Sequence, residues 1–200
     1  FKLNPRINEN PYLDNQLKQL EMQFNATKQR LQNKFGTKKF IVYFQSFTNT
    51  YAPIATLKAL YEKALSFENV IGLSIGTRTD CVTDEILDYL VDLSKDKEIW
   101  IEFGIQSFYD ETLVHINRGD TADNMRYWIK RSKEKGLNVC GHLIYGLPKE
   151  TQEMMLETFR QTVELKVDSI KFHPLYVVKN TLLTNEFKKG RFTPISEELY

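Results

Sequence analysis

The sequence has little cysteine and no long apolar run, and these two absences exclude several classes of protein. Its 200 residues include two cysteines, Cys81 and Cys140, too few for a disulfide framework, which favours a reducing cytoplasm. No apolar run approaches the roughly 18 residues that cross a membrane. Lys and Arg number 27 and Asp and Glu 26, a formal net charge of +1. That balance argues against a strongly basic nucleic-acid binder, although it permits a local charged patch.

Several catalytic motifs are also absent. No Gly-x-Gly-x-x-Gly follows a strand-like run, which weakens a dinucleotide-binding interpretation. No Walker loop occurs either. Asp80, His142 and His173 are the candidates for a mononuclear metal site, but no pair of them has the spacing of ligands on one helix. We therefore predict no metal ligand in this chain.

The hydrophobic spacing predicts alternating helices and strands. Apolar residues three, four or seven apart indicate a long helix over 11–35. Strand-like runs follow at 39–45, 69–75, 98–103, 137–144 and 168–172. Helical patterns lie between them at 54–66, 83–94, 110–135 and 151–165, with Thr83, Thr121 and Thr151 as candidate N-caps. This order predicts an α/β domain with a parallel sheet, either doubly wound or a barrel.

We expect one domain over 1–200, with 182–200 starting a C-terminal extension. Because the chain begins at Phe1 without Met, we expect it to be a piece of a longer protein. A hydrolase or lyase on a complete eight-stranded barrel would need three more βα units.

Polar residues follow each predicted strand at its C-terminal end. The carboxyl ends of parallel strands share one face, where active sites form in such folds. These residues are Gln45, Ser46, Thr48, Asn49, Thr50, Thr77, Arg78, Asp80, Gln106, Ser107, His142, Tyr145 and His173. The pattern predicts a functional site on that face.

Four segments resemble the radical S-adenosylmethionine (SAM) enzymes. They are Gly-Ile-Gln-Ser-Phe at 104–108, Thr-Leu at 112–113, Ile-Asn-Arg-Gly at 116–119 and Leu-Ile-Tyr-Gly-Leu-Pro at 143–148. The nearest subgroup is that of the oxygen-independent coproporphyrinogen III oxidases and the elongator-type tRNA-modifying proteins. Segments 43–53 and 72–81 narrow the resemblance to the YhcC-type radical SAM family. The resemblance runs from about Lys38 to the end of the chain.

The resemblance implies a partial (β/α)6 barrel, a radical SAM relative of the TIM barrel. It also implies a [4Fe–4S] cluster held by a Cys-x3-Cys-x2-Cys loop after the first strand. The chain lacks that loop, and Cys81 and Cys140 are 59 positions apart. We expect the first strand and the cluster loop to lie upstream of Phe1. The isolated chain is then expected to hold no cluster and to be inactive.

The resemblance also implies roles for residues at the strand ends. Gln45, Ser46, Asn49 and Thr50 would contact the methionine ammonium of SAM. Arg118 would bind its carboxylate through a fork-like pair. Gln106 and Ser107 would contact the ribose, and the backbone at Ile144, Tyr145 and Gly146 would pack on adenine. Arg78, Asp80, His142 and His173 would face the substrate or support SAM, and no catalytic residue is assigned.

The implied function is reductive cleavage of SAM to a 5′-deoxyadenosyl radical that acts on a substrate. The enzyme would be a cytoplasmic oxidoreductase that uses SAM and an iron–sulfur cluster. RNA or a small molecule would be its substrate, flavodoxin or ferredoxin would donate electrons, and no membrane is involved. The alternative is a catalytically silent SAM-like binding module that has lost its cluster.

Overall fold

The computed structural model describes residues 12–196 and 198, in which helices and strands alternate. In chain order the elements are α1 (Leu13–Phe35), β1 (Phe40–Phe44), α2 (Ile54–Leu65), β2 (Val70–Thr77), a 3₁₀ turn (Thr79–Cys81), α3 (Asp84–Ser94), β3 (Glu98–Gln106), α4 (Asp110–His115), α5 (Ala122–Glu134), β4 (Asn138–Tyr145), α6 (Gln152–Glu164), β5 (Ser169–Pro174) and α7 (Leu182–Lys188). Residue 11 of the predicted first helix lies outside the described residues.

The five strands form one parallel sheet in the order β1-β2-β3-β4-β5. A doubly wound sheet reverses its strand order at a switch point. Here every crossover moves to the next strand in the same direction, so the sheet curls into a half-barrel. The α/β partial barrel is confirmed, and the doubly wound alternative is wrong.

Apolar side chains hold the helices against one face of the sheet. The core combines strand residues such as Ile75, Ile101 and Val139 with helix residues such as Leu87 and Met125, all fully buried. Full burial of each such side chain contributes about 1.5–3 kcal/mol. The helices therefore cover the convex face and leave the concave face to smaller and more polar groups.

The helical pattern over 110–135 is two helices rather than one. The chain leaves the helical conformation at Asn117 and Gly119, whose φ angles are 54° and 68°. The Asp110 carboxylate then accepts a hydrogen bond of 2.8 Å from the Ala122 amide at the start of α5. The break places Arg118 in the loop between α4 and α5.

The predicted helix caps are confirmed. The hydroxyls of Thr83, Thr121 and Thr151 each accept a hydrogen bond from a backbone amide three residues later. Each cap satisfies one amide of the first turn that has no partner within its helix.

The C-terminal segment returns to the sheet after α7. Its Ile195 lies against Gly146, where an added Cβ would come 2.9 Å from the Ile195 Cβ. Residues 197, 199 and 200 of the predicted extension lie outside the described residues. Within the part of the chain that the structure describes, no helix is both long and apolar enough to cross a membrane.

Candidate functional site

A cavity of about 350 Å³ opens on the concave face near the C-terminal ends of β1 to β4. The predicted site residues Gln45, Arg78, Gln106, Arg118 and His142 all line it. The other lining residues are Tyr43, Phe47, Thr48, Gly76, Thr77, Glu102 and Gly104. Strand ends separated in sequence therefore meet at one site, as the pattern of polar residues predicted.

The end of β3 is shaped to bring side chains into this cavity. A Cβ at Gly104 would lie 2.7 Å from Gln106 Nε2 and 3.1 Å from Arg118 Nη2, so glycine makes room for both groups. The pairing register shifts between Gly104 and Gln106, and Gln106 has a φ of 70°. A left-handed conformation at a residue other than glycine costs on the order of 1–3 kcal/mol and is often found at functional sites.

Arg118 reaches the cavity without forming an ion pair with any carboxylate of the described residues. Its Nη2 donates to the Gly104 carbonyl, and its buried Nε has no hydrogen-bond partner among the described residues. Asp120 is engaged elsewhere, since its carboxylate accepts from Thr79 Oγ1 and from the Asn124 side chain. Burial, followed by repulsion from Arg78, lowers the pKa of Arg118. The half-buried guanidinium is therefore suited to an anion that enters the cavity.

Arg78 is already paired. Its Nε and Nη2 donate to the two carboxylate oxygens of Asp80 at 2.7 and 2.5 Å. That hydrogen bonding raises the pKa of Arg78. Among the described residues, Asp80, His142 and His173 do not come together as a group of potential metal ligands.

A buried carboxylate connects all five strands on the concave face. Glu102 on β3 accepts hydrogen bonds from Tyr43 Oη on β1 at 2.8 Å and Lys171 Nζ on β5 at 2.6 Å. Ser74 Oγ on β2 also donates to it, and His142 Nε2 on β4 lies 2.7 Å away. We call these five residues the Glu102 cluster. Each strand contributes one side chain to it.

Hydrogen bonding keeps Glu102 ionised despite its burial. Burial alone would raise its pKa, but donation from Lys171, Ser74, Tyr43 and His142 prevails and lowers the pKa to about 2. Burial also lowers the pKa of His142, against the opposing effect of Glu102. A neutral imidazole and an ionised carboxylate therefore lie side by side at neutral pH.

The acid, thiol and imidazole of Glu102, Cys140 and His142 have potential metal-ligating atoms within 4.8 Å of one another. This trio is a poor metal site as it stands. The Glu102 oxygens already accept hydrogen bonds from several donors, including the cationic Lys171. Burial raises the pKa of the Cys140 thiol and so disfavours the thiolate that binds metals.

Four residues of the Glu102 cluster are not predicted as site residues from the sequence: Tyr43, Ser74, Glu102 and Lys171. One local feature of β3 could have indicated the cluster, since Glu102 stands between the fully buried Ile101 and Phe103. A charged residue inside an apolar strand is rarely buried without partners. Its partners come from four other strands, however, and no local pattern identifies them.

Other predicted residues hold the loops around the cavity. The Asn49 side-chain amide donates to the carbonyls of Phe44 and Gly76, at 2.9 and 2.8 Å. The buried Thr50 hydroxyl donates to the Cys81 carbonyl at 2.7 Å. Ser46 lines a second cavity, of about 390 Å³, beside α1.

The remaining predicted residues lie near the ends of β3 and β4. The buried Ser107 hydroxyl donates to Glu150. Gly146, which follows Ile144 and Tyr145, has a φ of 85° and donates its amide to Met155 Sδ at 3.1 Å. The ligand contacts of all these residues stay predictions.

Comparisons with known proteins agree with this architecture. The family model of the radical SAM superfamily matches residues 13–162, and that of the radical SAM C-terminal domain matches 167–200. Protein YhcC of Escherichia coli K12 is 41% identical over 165 residues, covering 82% of this chain and 53% of that protein. YtqA of Bacillus subtilis is 35% identical over 189 residues, which cover 94% of this chain and 59% of that protein. The chain thus spans between half and three-fifths of these curated relatives.

Two solved structures share the fold. The archaeal Elp3 of Methanocaldococcus infernus superposes with a TM-score of 0.74 at 24% identity, over 90% of this chain and 47% of that one. The second structure is the coproporphyrinogen III oxidase HemN of Escherichia coli, which is described as a radical SAM enzyme. It superposes with a TM-score of 0.58 at 18% identity, over 92% of this chain and 43% of that one. At these identities the likeness establishes the half-barrel alone.

Proposed function

This chain belongs to the radical SAM superfamily, and we propose that its concave cavity binds the SAM molecule of a radical SAM enzyme. When bound and reduced through an iron–sulfur cluster, SAM supplies a 5′-deoxyadenosyl radical that attacks a substrate. The proposed whole protein is a cytoplasmic oxidoreductase. RNA or a small molecule would be its substrate, and flavodoxin or ferredoxin would donate electrons.

The single observation that carries this proposal is the Arg118 guanidinium at the cavity, which forms no ion pair among the described residues. The methionine part of SAM ends in a carboxylate, and a guanidinium binds a carboxylate through two parallel hydrogen bonds. Arg118 has a buried Nε with no partner among the described residues, and it lines the cavity. Arg78 cannot take this role as readily, because Asp80 already pairs with it.

Two glutamine side chains complete the polar wall around Arg118. Gln45 and Gln106 line the same cavity, and an amide oxygen can accept from an ammonium or a ribose hydroxyl. Gly104 keeps the space beside Arg118 open. We infer that these groups orient SAM from β1 and β3.

The residues of this chain do not fit a [4Fe–4S] cluster. Such clusters need several cysteine thiolates, and the sequence holds two cysteines. Burial, followed by the nearby Asp80 carboxylate, raises the pKa of Cys81 to about 11. Cys140 is buried within β4. The proposal therefore places the cluster ligands of the whole protein outside this chain.

The absence of the cluster motif also favours a second candidate, a catalytically silent module that binds SAM through the same cavity. Both candidates require Arg118, and they differ in whether SAM is cleaved. Anaerobic reconstitution of the whole protein with iron and sulfide, followed by dithionite, separates them. Release of 5′-deoxyadenosine supports the enzyme, whereas SAM binding without release supports the silent module.

Calorimetric titration with SAM tests the binding site itself. A charge-assisted hydrogen bond contributes about 1.5–3 kcal/mol. Arg118→Ala should therefore bind SAM roughly tenfold to more than a hundredfold more weakly. Arg118→Lys should recover part of the affinity, because an ammonium cannot reproduce the guanidinium fork.

Arg160→Ala is the matched control, since Arg160 is an exposed arginine on α6 that pairs with Glu153 at 2.6 Å. It should bind SAM as the parent does. Circular dichroism and thermal melting would establish that each variant is folded. A folded Arg118→Ala protein that binds SAM within about twofold of the parent contradicts the assignment.

A further inference from the structure

Three side chains form a hydrogen-bonded series from the centre of the half-barrel towards solvent. Glu102 is buried on β3, and its Oε2 lies 2.7 Å from His142 Nε2 on β4. His142 Nδ1 lies 3.3 Å from Nε2 of His173 on β5, and the two imidazole rings stack with centroids 5.2 Å apart. His173 is exposed. The proposed contacts of Arg118 with SAM do not use these three groups.

The ionisation of Glu102 fixes the positions of the protons along this series. An ionised carboxylate can only accept, so His142 Nε2 must carry the proton between them. Nδ1 of a neutral His142 is then an acceptor, and His173 Nε2 must donate to it. A neutral His173 therefore has an unprotonated Nδ1, which makes no hydrogen bond with the described residues. That nitrogen is available to a substrate.

We propose that Glu102, His142 and His173 form a proton-transfer array in which His173 is the general acid–base for a substrate with an exchangeable N–H or O–H group. His173 is the catalytic residue, because its Nδ1 would meet the substrate. His142 and Glu102 are positioning residues that act through it. The proposal rests on the proposed function only in placing the substrate on the concave face.

The proton transfer is balanced within the array. The substrate N–H or O–H bond breaks, its electron pair stays on the substrate, and a new N–H bond forms at His173 Nδ1. The proton on His173 Nε2 can then move to His142 Nδ1. This leaves a His142 imidazolium 2.7 Å from the Glu102 carboxylate, which stabilises the positive charge. Reversal returns the proton, and no oxidant or reductant is consumed.

Other charged and titratable groups around the array affect the stability of a positive charge on His142. Lys171 on β5 and Tyr43 on β1 also contact Glu102, and the Lys171 ammonium opposes a positive charge on His142. Cys140 lies on the same strand as His142 and close to Glu102. β2 contributes the uncharged Ser74 hydroxyl.

Nitrogen-15 NMR of the histidine rings tests the array, because the chain has three histidines. His115 on α4 faces Glu186 on α7 at 3.4 Å and serves as an internal reference. At neutral pH, His142 and His173 should both carry their proton on Nε2. His142→Phe keeps an aromatic ring but removes the Nδ1 that accepts from His173. His173 should then no longer favour the tautomer with its proton on Nε2, while the tautomer of His115 stays the same.

Glu102→Gln tests the positioning role. Without the carboxylate, the pKa of His142 should fall, because Glu102 stabilises its charged form. A nitrogen-15 titration of the His142 ring in the parent and in Glu102→Gln would measure this fall.

Two results overturn the proposal. One is a His173 that carries its proton on Nδ1 in the parent or keeps its preference in a folded His142→Phe protein. The other is a His142 pKa that is unchanged in a folded Glu102→Gln protein. No SAM is present in either measurement, so a failed array and a failed SAM site at Arg118 are distinguishable.

Discussion

Glu102 makes the sheet sensitive to pH at a single residue. Its folded pKa of about 2 lies below the ordinary value of 4.5, so the folded state favours the ionised form. The resulting stabilisation is complete above about pH 4.5 and is lost as pH falls through about 2. At about 1.4 kcal/mol per pKa unit, it is of the order of 3 kcal/mol at neutral pH.

We expect Glu102→Gln to lower the free energy of unfolding by roughly this amount at pH 7. The difference from the parent should shrink towards pH 3, because the unfolded parent then binds a proton at the ordinary carboxyl pKa while the folded carboxylate stays ionised. Urea unfolding at several pH values would measure it. Glu98→Gln, at an exposed position of the same strand, is the control and should change stability little. A deficit that is the same at pH 3 and pH 7 would contradict the linkage.

At the scale of elements, β1 is an edge strand, since no described strand lies beyond it in the sheet order. Its Ile41 and Tyr43 are 41% and 37% exposed, whereas Ile101 on the central β3 is fully buried. Edge strands leave backbone groups without strand partners. We expect the amides of Ile41 and Tyr43 to exchange with solvent faster than that of Ile101. Hydrogen exchange by NMR on a dilute monomer would measure this, and equal protection would show that the edge is covered.

Local signals in the sequence predicted most of these elements and part of the site. Strands β1 to β5 and the caps Thr83, Thr121 and Thr151 follow from apolar runs and hydroxyl positions. The break between α4 and α5 could not be predicted in this way, because the hydrogen bond from the Ala122 amide to Asp110 forms only after folding. The family resemblance predicted Arg118 as a site residue. Glu102 could not be predicted, because its hydrogen-bond partners come together only when the sheet curls.

At the scale of the whole molecule, the two faces of the half-barrel have different roles. Apolar side chains and helices stabilise the convex face, which leaves the concave face free to carry the Glu102 cluster and the cavity. Arg118 and His173 approach this face from different elements. The α4–α5 loop brings the guanidinium, and β5 brings the imidazole. The proposed SAM site at Arg118 and the proposed substrate site at His173 would therefore lie side by side on the concave face.

The cysteine chemistry of the whole chain predicts its behaviour towards iron. A [4Fe–4S] cluster needs more thiolates than Cys81 and Cys140 provide, and burial raises the pKa of both thiols. We expect the 200-residue chain to retain no cluster after anaerobic incubation with iron and sulfide and gel filtration. Visible absorbance and iron content per chain would measure this, with the Cys81→Ser/Cys140→Ser double variant as the control for non-specific iron. Stoichiometric iron in the parent that is absent from the double variant would show that these cysteines bind a cluster after all.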